Sequence, residues 1–382
     1  MPSFARPNYI SDYARLNGGC LAKTDLRIGD CVASPGKLKY GTFEGVALPT
    51  GGNDRLAVVI AQGKREGPTF WITANIHGNE LAGINTLHRL LTDDLCAAMA
   101  GTIVAIPSLN PAGLRTNRRH PYWDDRDPNR TFPGRRRADE EPREPTVYER
   151  LAARLLESLR GSADYYVDLH CASIQSVGFS IRDRVLYKEE SERPKMEALS
   201  TTLDAMVAAF GFPAVVEFPS QTYIARELHK STTGAALQEL RIPTFTVELG
   251  MHSAVDRPVV AAAVIGLRNI MRWAGMLDGP PEPMPALPRP PDGRVRRRED
   301  GPYPPAAGIL DYRVEAGAYM KEGGVVATLT DMWGRAVGDG EVRVGPETWI
   351  IGVEDGVLAY PGSAIAHVGV IESGPLVERW PS

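Results

Sequence analysis

Two side chains that can bind a metal ion follow a strongly apolar, strand-like segment of this sequence. The segment spans residues 71–76, and His77 and Glu80 come directly after it, where the chain is expected to turn into a helix. An imidazole and a carboxylate at this spacing can bind one divalent ion together, with bond lengths of roughly 2.0–2.2 Å. A surface histidine beside a glutamate that complements a helix N-terminus would give the same spacing. The pair therefore needs structural context before it indicates a site.

Two further apolar segments end in groups of the same kind. One ends in His170 and the other in Glu248. Parallel strands present their carboxyl ends at one edge of a sheet, where open α/β sheets bind ligands. A zinc hydrolase needs three protein ligands and one open position, and His77, Glu80 and His170 would supply the three ligands. Glu248 could then accept a proton from a water molecule and pass it to a leaving amine.

Strand-like and helical segments alternate along the first three quarters of the chain. Strands are predicted at residues 40–48, 56–61, 69–76, 102–107, 165–170 and 243–248, and helices at residues 81–98, 146–159, 194–209, 233–240 and from 255 or 258 to 276. Such alternation predicts an α/β fold with a mainly parallel sheet. Residues 108–145 are polar, rich in arginine, and lack periodicity. Long segments of this kind inside a compact domain are usually functional or disordered.

The composition changes after residue 279, where a proline-rich stretch predicts a semi-rigid linker. We predict four regions: an N-terminal arm at 1–35, a catalytic α/β domain at 36–279, the linker at 280–293 and a β-rich domain at 294–382. Regular turn signals make the last region a small all-β, barrel-like domain. It resembles lipoyl and biotinyl carrier modules, but its expected hairpin tip at residues 330–334 has no lysine to modify. We therefore expect it to shape the mouth of the active site or to mediate oligomerisation.

The composition argues against several classes of protein. Hydrophobic residues make up 43% and charged residues 24% of the chain, with a net charge of −4, which argues against nucleic acid as the main partner. The arginine runs at 135–137 and 296–298 are flanked by acids and are interpreted as solvated faces. No apolar segment is long enough to span a membrane, and no signal peptide is predicted, so we expect a cytoplasmic protein without a membrane partner. The four cysteines lack metal-binding or redox spacing, and disulfides are not expected.

Five motifs in fixed order resemble the succinylglutamate desuccinylase/aspartoacylase family, a branch of the zinc carboxypeptidase superfamily. They are His77-Gly78-Asn79-Glu80, Asn110-Pro111-Ala112-Gly113, Asp127-Pro128-Asn129-Arg130-Thr131-Phe132-Pro133-Gly134, Asp168-Leu169-His170 and Thr246-Val247-Glu248-Leu249-Gly250. The resemblance extends over residues 40–382, because the β-rich tail also looks like the one that many family members carry. It implies a zinc carboxypeptidase-like α/β fold and one zinc ion, held by His77, Glu80 and His170, with Glu248 as general base.

The resemblance also implies how the substrate is bound. Asn129 and Arg130 match the family's Asn-Arg pair, which holds the substrate carboxylate, a role that suits the forked guanidinium. The family places another arginine upstream, where it polarises the scissile carbonyl and stabilises the oxyanion. Arg118 and Arg119 both fit, and the spacing favours Arg118, with Arg119 as a further substrate-binding residue. Pro128 stands where the family commonly has leucine, which leaves the local backbone geometry open.

Several other polar residues have two interpretations. Asp127 and Asp168 could each orient a metal ligand or an arginine, but a loop-capping and a strand-end aspartate would look the same. His252 could line the pocket, although an ordinary surface histidine is the simpler interpretation. Tyr223 and Tyr360 are candidates for the family's substrate-facing phenol, and a core or surface tyrosine is the simpler interpretation of each.

These observations predict a zinc-dependent hydrolase (a deacylase) that cleaves the amide bond of an N-acyl amino acid or a related small molecule, with the water on the zinc activated by Glu248. A zinc carboxypeptidase acting on peptides is the first alternative, and it would need an open groove. A metal-free binding or regulatory protein that keeps the fold is the second. The expected partner is a small-molecule substrate, and homo-oligomerisation is left open.

Overall fold

The computed structural model describes residues 26–134, 143–354 and 356–381. Most of the predicted N-terminal arm, Cys20 and the arginine run at 135–137 lie outside these ranges. At the described end of the predicted arm, Ile28 and Cys31 are buried in a core cluster that also contains residues of the α/β part.

The part of the chain before residue 280 contains strands and helices in alternation. The strands are β1 (Arg27–Ile28), β2 (Cys31–Val32), β3 (Lys37–Ala47), β4 (Asn53–Gln62), β5 (Arg65–Ala74), β6 (Ala100–Ile106), β7 (Tyr165–Ala172), β8 (Gln175–Ser176), β9 (Gly178–Arg182), β10 (Val185–Tyr187), β11 (Ala214–Val216) and β12 (Thr244–Met251). The helices are α1 (Ala82–Leu90), α2 (Asp93–Ala98), α3 (Pro111–Thr116), α4 (Val147–Ser162), α5 (Arg193–Phe210), α6 (Ser220–Ala225), α7 (Thr232–Leu240) and α8 (Arg257–Trp273). Short 3-10 turns occur at Pro128–Arg130, Glu190–Glu192 and Leu228–Lys230.

The central sheet is mixed and mainly parallel, which confirms the predicted fold class. Its order in this part of the chain is β3-β4-β6-β5-β7-β12-β9-β11. Strand β5 pairs in parallel with β6 and β7, and β7 pairs in parallel with β12. Strands β3, β4 and β6 are joined by antiparallel pairs, and β9 runs antiparallel to β12.

Helices cover both faces of this sheet, so its central strands are apolar along their length. In β5, Phe70 and Ile72 face one core, where they join Leu87 of α1 and Leu267 of α8. Trp71 points the other way, into a core built with α4 and α7. The uninterrupted apolar segment before His77 is therefore explained by burial on two sides.

The predicted helices agree with the structure except at one position. Helix α4 begins at a capping box, in which Thr146 and Glu149 each accept a hydrogen bond from the other's backbone amide. The predicted helix at 81–98 is in fact α1 and α2. The chain leaves the helical conformation at Leu91, and the Thr92 side chain caps α2 by accepting from the amide of Leu95.

The C-terminal part is built mainly from antiparallel strand pairs. They are β13 (Arg296–Asp300), β14 (Gly308–Tyr312), β15 (Tyr319–Met320), β16 (Val325–Thr330), β17 (Ala336–Arg343), β18 (Thr348–Val353), β19 (Leu358–Ala359), β20 (Ala366–Ile371) and β21 (Val377–Arg379). Strands β17-β16-β14-β19 form a sheet of their own. Strands β13, β20, β18 and β15 instead extend the central sheet, because β13 pairs with β11 at Val216 and Arg297. The domain boundaries stay a prediction, but the hydrogen bonding of the sheet continues across the predicted linker.

The proline-rich segment between the two parts lies on the α/β core. The Asn269 side chain of α8 exchanges two hydrogen bonds with the backbone of Glu282, at 2.9 and 2.7 Å. Met284 and Leu287 pack against the core. None of the helices in the described ranges is long and apolar enough to cross a membrane.

Candidate active site

The loop after β5 is shaped by the amide group of Asn75. Asn75 has a φ of 56°, in the left-handed region that asparagine tolerates better than most residues. From there its Nδ2 lies 3.0, 3.1 and 2.9 Å from the carbonyl oxygens of His77, Gly78 and Glu80. These contacts fix the backbone between the two predicted metal ligands.

Gly78 allows this loop to lie against α3. A Cβ at Gly78 would be 2.0 Å from the carbonyl carbon of Gly113, so no other residue fits without moving the backbone. The side chain of Asn110 joins the two elements, because its Nδ2 donates to the carbonyl of Ile76 at 3.1 Å and its Oδ1 accepts from the amide of Gly113 at 2.8 Å. The glycine is therefore required by close backbone approach.

His77, Glu80 and His170 converge on one point at the carboxyl ends of β5 and β7. Their candidate ligand atoms all lie within 4.8 Å of one another. Nδ1 of His77 is 2.6 Å from Oε1 of Glu80, and Nδ1 of His170 is 3.0 Å from Oε2. Burial raises the pKa of the Glu80 carboxyl, but the two imidazoles outweigh this effect and hold the pKa well below its usual range. Two imidazole nitrogens and one carboxylate are the donor set of a catalytic zinc site.

A second carboxylate holds each imidazole in place. Nε2 of His170 bonds Oδ2 of Asp168 at 2.8 Å, and Nε2 of His77 bonds Oδ1 of Asp127 at 3.1 Å. Asp168 in turn accepts hydrogen bonds from the hydroxyls of Thr73 and Thr232. When Nε2–H donates to a carboxylate, the lone pair of Nδ1 is free to bind a metal. Both histidines therefore meet a requirement of metal ligands.

Glu248 lies beside this group with its carboxylate unpaired. Strands β7 and β12 are in register at His170 and Glu248, so the two side chains leave neighbouring strands at the same level. Oε2 of Glu248 is buried and has no hydrogen-bond partner among the described residues. Burial raises the pKa of the Glu248 carboxyl, and the negative charge of Glu80 adds to this, while the imidazole of His170 opposes it. A buried carboxylate with a raised pKa and a free oxygen is chemically able to accept a proton.

These groups line a cavity of about 370 Å³. Arg119, Asn129 and Arg130 also line it, whereas Arg118 is not among the lining residues. Nη2 of Arg119 bonds Oδ2 of Asp127 at 2.9 Å, and Nη1 of Arg119 is 3.6 Å from the Glu80 carboxylate. Of the two candidate arginines, the structure therefore brings Arg119 to the cavity.

The two residues of the Asn-Arg pair are held by backbone groups. Oδ1 of Asn129 accepts a hydrogen bond from the amide of Thr232 at 2.8 Å. Arg130 donates from Nε and Nη1 to the carbonyls of Arg226 and Asn129, at 3.0 and 2.7 Å. Within the described ranges, Nδ2 of Asn129 and Nη2 of Arg130 have no such bond and can serve a ligand.

Comparison with known proteins decides the family. Over residues 66–274, more than half of the chain, the sequence matches the model of the succinylglutamate desuccinylase/aspartoacylase catalytic domain. The chain belongs to the succinylglutamate desuccinylase/aspartoacylase family. This is a family of amide-bond deacylases.

Three individual proteins are similar to this chain over most of its length. N-alpha-acetyl-L-2,4-diaminobutyric acid deacetylase from Halomonas elongata is 26% identical over 302 residues, which are 77% of each chain. Succinylglutamate desuccinylase/aspartoacylase from Rhodobacter sphaeroides has a TM-score of 0.70 at 20% identity, over 93% of this chain and 99% of that one. The product-bound ectoine utilization protein EutE (DoeB) from Ruegeria pomeroyi has a TM-score of 0.68 at 22% identity, over 87% and 95%. The last two similarities confirm the fold.

The C-terminal strands of this family member supply part of the cavity wall. Arg298 of β13 and His367 of β20 line it together with Ile351 and Glu354. The arginine run at 296–298, interpreted above as a solvated face, is not one, because Arg296 is only 1% exposed. The run was expected to be solvated as a unit, but side chains alternate along a strand. Arg296 and Arg298 therefore point to one side of β13 and Arg297 points to the other.

Sequence reasoning missed four charged residues of the cavity, namely Asp183, Glu217, Arg298 and Glu354. The first two belong to residues 175–232, where no strands were predicted. His252 does line the cavity, with Nδ1 2.9 Å from the hydroxyl oxygen of Ser253. Tyr223 is fully buried and Tyr360 is 59% exposed. Neither tyrosine is among the lining residues, so their simpler interpretations agree with where they lie.

Proposed function

We propose that this protein is a zinc-dependent hydrolase that cleaves the amide bond of N-acyl amino acids. The observation that carries the proposal is the convergence of two Nδ1 atoms and a carboxylate beside the unpaired, buried Glu248. Membership of a deacylase family supports the amide bond as the target. The relative from Halomonas elongata is named for an N-acetylated amino acid, which supports a substrate of this size.

His77, Glu80 and His170 would hold the zinc ion, because the donor set and the carboxylates behind both imidazoles fit it. When bound, zinc supplies a Lewis acid that acidifies water and polarises a carbonyl group. Glu248 takes a proton from the attacking water and returns it to the nitrogen of the leaving amine. The carboxylate of Glu248 can accept and return this proton, because no described residue forms a hydrogen bond with its Oε2.

Arg119 stabilises the negative charge that develops on the scissile carbonyl oxygen. Its guanidinium lies in the cavity and is oriented by Asp127, which also orients His77. A cation that is held in place beside a developing oxyanion stabilises the transition state. Asn129 and Arg130 bind the carboxylate of the amino acid through Nδ2 and Nη2, the donor atoms that are not used in their hydrogen bonds to the backbone. The cavity volume of about 370 Å³ suits a small molecule better than a peptide.

The Glu248→Gln variant tests this proposal. Purified wild-type protein should contain one zinc ion per chain by elemental analysis and release free amine from N-acyl amino acids. Glu248→Gln should keep the zinc and lose about 10²- to 10⁴-fold in kcat, because the amide cannot accept the proton. Glu157→Gln is the matched control, since this side chain is 68% exposed on α4 and should leave both measurements unchanged. Retained turnover in Glu248→Gln would refute the assigned base, and absence of zinc from active protein would refute the metal.

A further inference from the structure

A pair of buried carboxylates, Asp183 and Glu217, also lines the cavity. Phe179, Ile181 and Asp183 alternate along β9 and its end, and all three line the cavity. Phe179 is opposite Glu248 in the register of β9 and β12. Asp183 is four residues further on, which corresponds to roughly 13 Å of extended chain. The wall from the general base to Asp183 is therefore apolar first and acidic at its end.

Asp183 lacks the cationic partner that a buried carboxylate normally has. It is 5% exposed, and its carboxylate accepts one hydrogen bond, from the neutral hydroxyl of Tyr223 at 3.1 Å. The two flanking arginines are committed elsewhere. Arg182 binds the side chains of Asp204 and Ser200, and Arg184 binds those of Glu372 and Glu378. An unpaired buried charge is costly unless a ligand completes the site.

Glu217 increases the negative potential at this position. It is 3% exposed and accepts from the amide of Phe218 at 3.0 Å and from Nη1 of Arg298 at 3.4 Å. Burial, and then the charge of Glu217, raise the pKa of the Asp183 carboxyl to about 7. A positively charged group in the cavity would favour the ionised form of Asp183.

The cations of the cavity leave room for such a group. Arg298 faces the negative charges of Glu217 and Asp300. The charges of Arg182 and Arg130 act on Asp183 and lower its pKa, but neither makes an ion pair with its carboxylate among the described residues. Arg130 is turned toward two backbone carbonyls and serves the substrate carboxylate in the proposed function. The cavity thus contains an anion-binding donor on Arg130 and a separate carboxylate with no cation in direct contact.

We propose that Asp183, assisted by Glu217, binds a primary ammonium group of the substrate, so that the amides cleaved here are N-acyl derivatives of diamino acids. This inference rests on the proposed deacylase function. Arg130 binds the carboxylate of such a substrate, Phe179 and Ile181 contact its methylene groups, and Asp183 binds the ammonium. Each part of such a substrate thus has a protein partner of complementary charge or polarity.

Isosteric substrate pairs test the inference. The N-acetyl derivatives of 2,4-diaminobutyrate, ornithine and lysine are each compared with the analogue whose ammonium is a methyl group, namely norvaline, norleucine and 2-aminoheptanoate. At least one ammonium substrate should exceed its methyl analogue by about tenfold or more in kcat/KM, the size of one hydrogen bond to a charged group. In Asp183→Asn this ratio should fall to near one. Asp204→Asn, which removes a carboxylate from Arg182 outside the cavity, should keep the wild-type ratio.

Product binding separates this inference from the proposed function. Calorimetry on zinc-loaded wild-type protein should detect tighter binding of the diamino acid than of its methyl analogue, and this measurement needs no turnover. Equal kcat/KM and equal affinity within every pair would overturn the ammonium site while leaving a deacylase that acts on the methyl analogues. Absence of hydrolysis for all substrates would overturn the deacylase, and the affinities would then decide the ammonium site alone. A preference that survives in folded Asp183→Asn would also refute the assignment.

Discussion

Asp127 connects two functions of the site through the two oxygens of one carboxylate. Oδ1 bonds Nε2 of His77, and Oδ2 bonds Nη2 of Arg119. Oδ1 also accepts from the amide of Asn129, so the carboxylate is fixed by its own loop. The orientation of a proposed metal ligand and that of the proposed oxyanion-stabilising arginine therefore depend on the same side chain.

Asp127→Asn should impair both functions together. An amide can satisfy only one of the two donors and carries no charge, so His77 and Arg119 lose a shared partner. Loss of a carboxylate behind a metal-binding histidine typically lowers metal affinity by about 10- to 100-fold. We expect weaker zinc binding in a chelator competition assay and a lower kcat at saturating zinc. Asp124→Asn is the matched control, because Asp124 pairs with Arg126 on the same loop and does not line the cavity. Unchanged zinc affinity and kcat in Asp127→Asn would contradict the shared role.

At the scale of elements, the sequence best predicts the strands and helices that have a local hydrophobic pattern. The central strands were recognisable because burial on both faces makes them continuously apolar. The polar residues that end them, His77, His170 and Glu248, then share one sheet edge because their strands are parallel. The predicted metal group and base followed from this pattern and from the motif order.

Long-range pairing and local turns explain what the sequence did not predict. Asp183 and Arg298 reach the cavity only because β9 runs antiparallel to β12 and β13 adds to β11, and neither pairing has a local signal. The choice between Arg118 and Arg119 depends on one turn. Asn117 ends α3 with a φ of 50°, and the amide of Arg118 then bonds the carbonyl of Gly113. Spacing along the chain does not contain this information.

The contact between α3 and the loop that carries the proposed metal ligands His77 and Glu80 predicts a strong effect of one methyl group. Gly78→Ala would place a Cβ 2.0 Å from the carbonyl carbon of Gly113, so the loop must move away from α3. His77 and Glu80 would move with it, and we expect loss of zinc binding and a lower melting temperature. Gly161→Ala is the matched control, because nothing lies within 4 Å of its added Cβ near the end of α4. That control should be neutral or stabilised by up to about 1 kcal/mol. A Gly78→Ala protein with wild-type zinc content would show that the loop tolerates displacement.

On the scale of the whole molecule, the two parts of the chain share one sheet and one cavity. Val216 of β11 pairs with Arg297 of β13, and the next residue on that strand, Arg298, lines the cavity. The expectation that the C-terminal region shapes the active-site mouth is consistent with this placement, whereas a role in oligomerisation stays a prediction. The cavity combines charges from both parts, and Asp183, like Glu248, is a buried acid with no cation in contact among the described residues.

An unpaired acid in the cavity should reduce the stability of the free enzyme in a pH-dependent way. The pKa of Asp183 is raised to about 7 in the folded state, against an ordinary value of 3.8, so the folded state binds more protons between these two values. The free energy of unfolding of the wild-type protein therefore falls as the pH rises from about 4 to about 7. Above about pH 7 this contribution no longer changes with pH. Asp183→Asn cannot ionise, so its stability relative to wild type should increase between pH 5 and pH 8, by up to about 3 kcal/mol. Denaturant unfolding of both proteins at the two pH values measures this, with Asp204→Asn as a control whose carboxylate is half-exposed. An equal stability difference at pH 5 and pH 8 would mean that Asp183 is already ionised and compensated in the free protein.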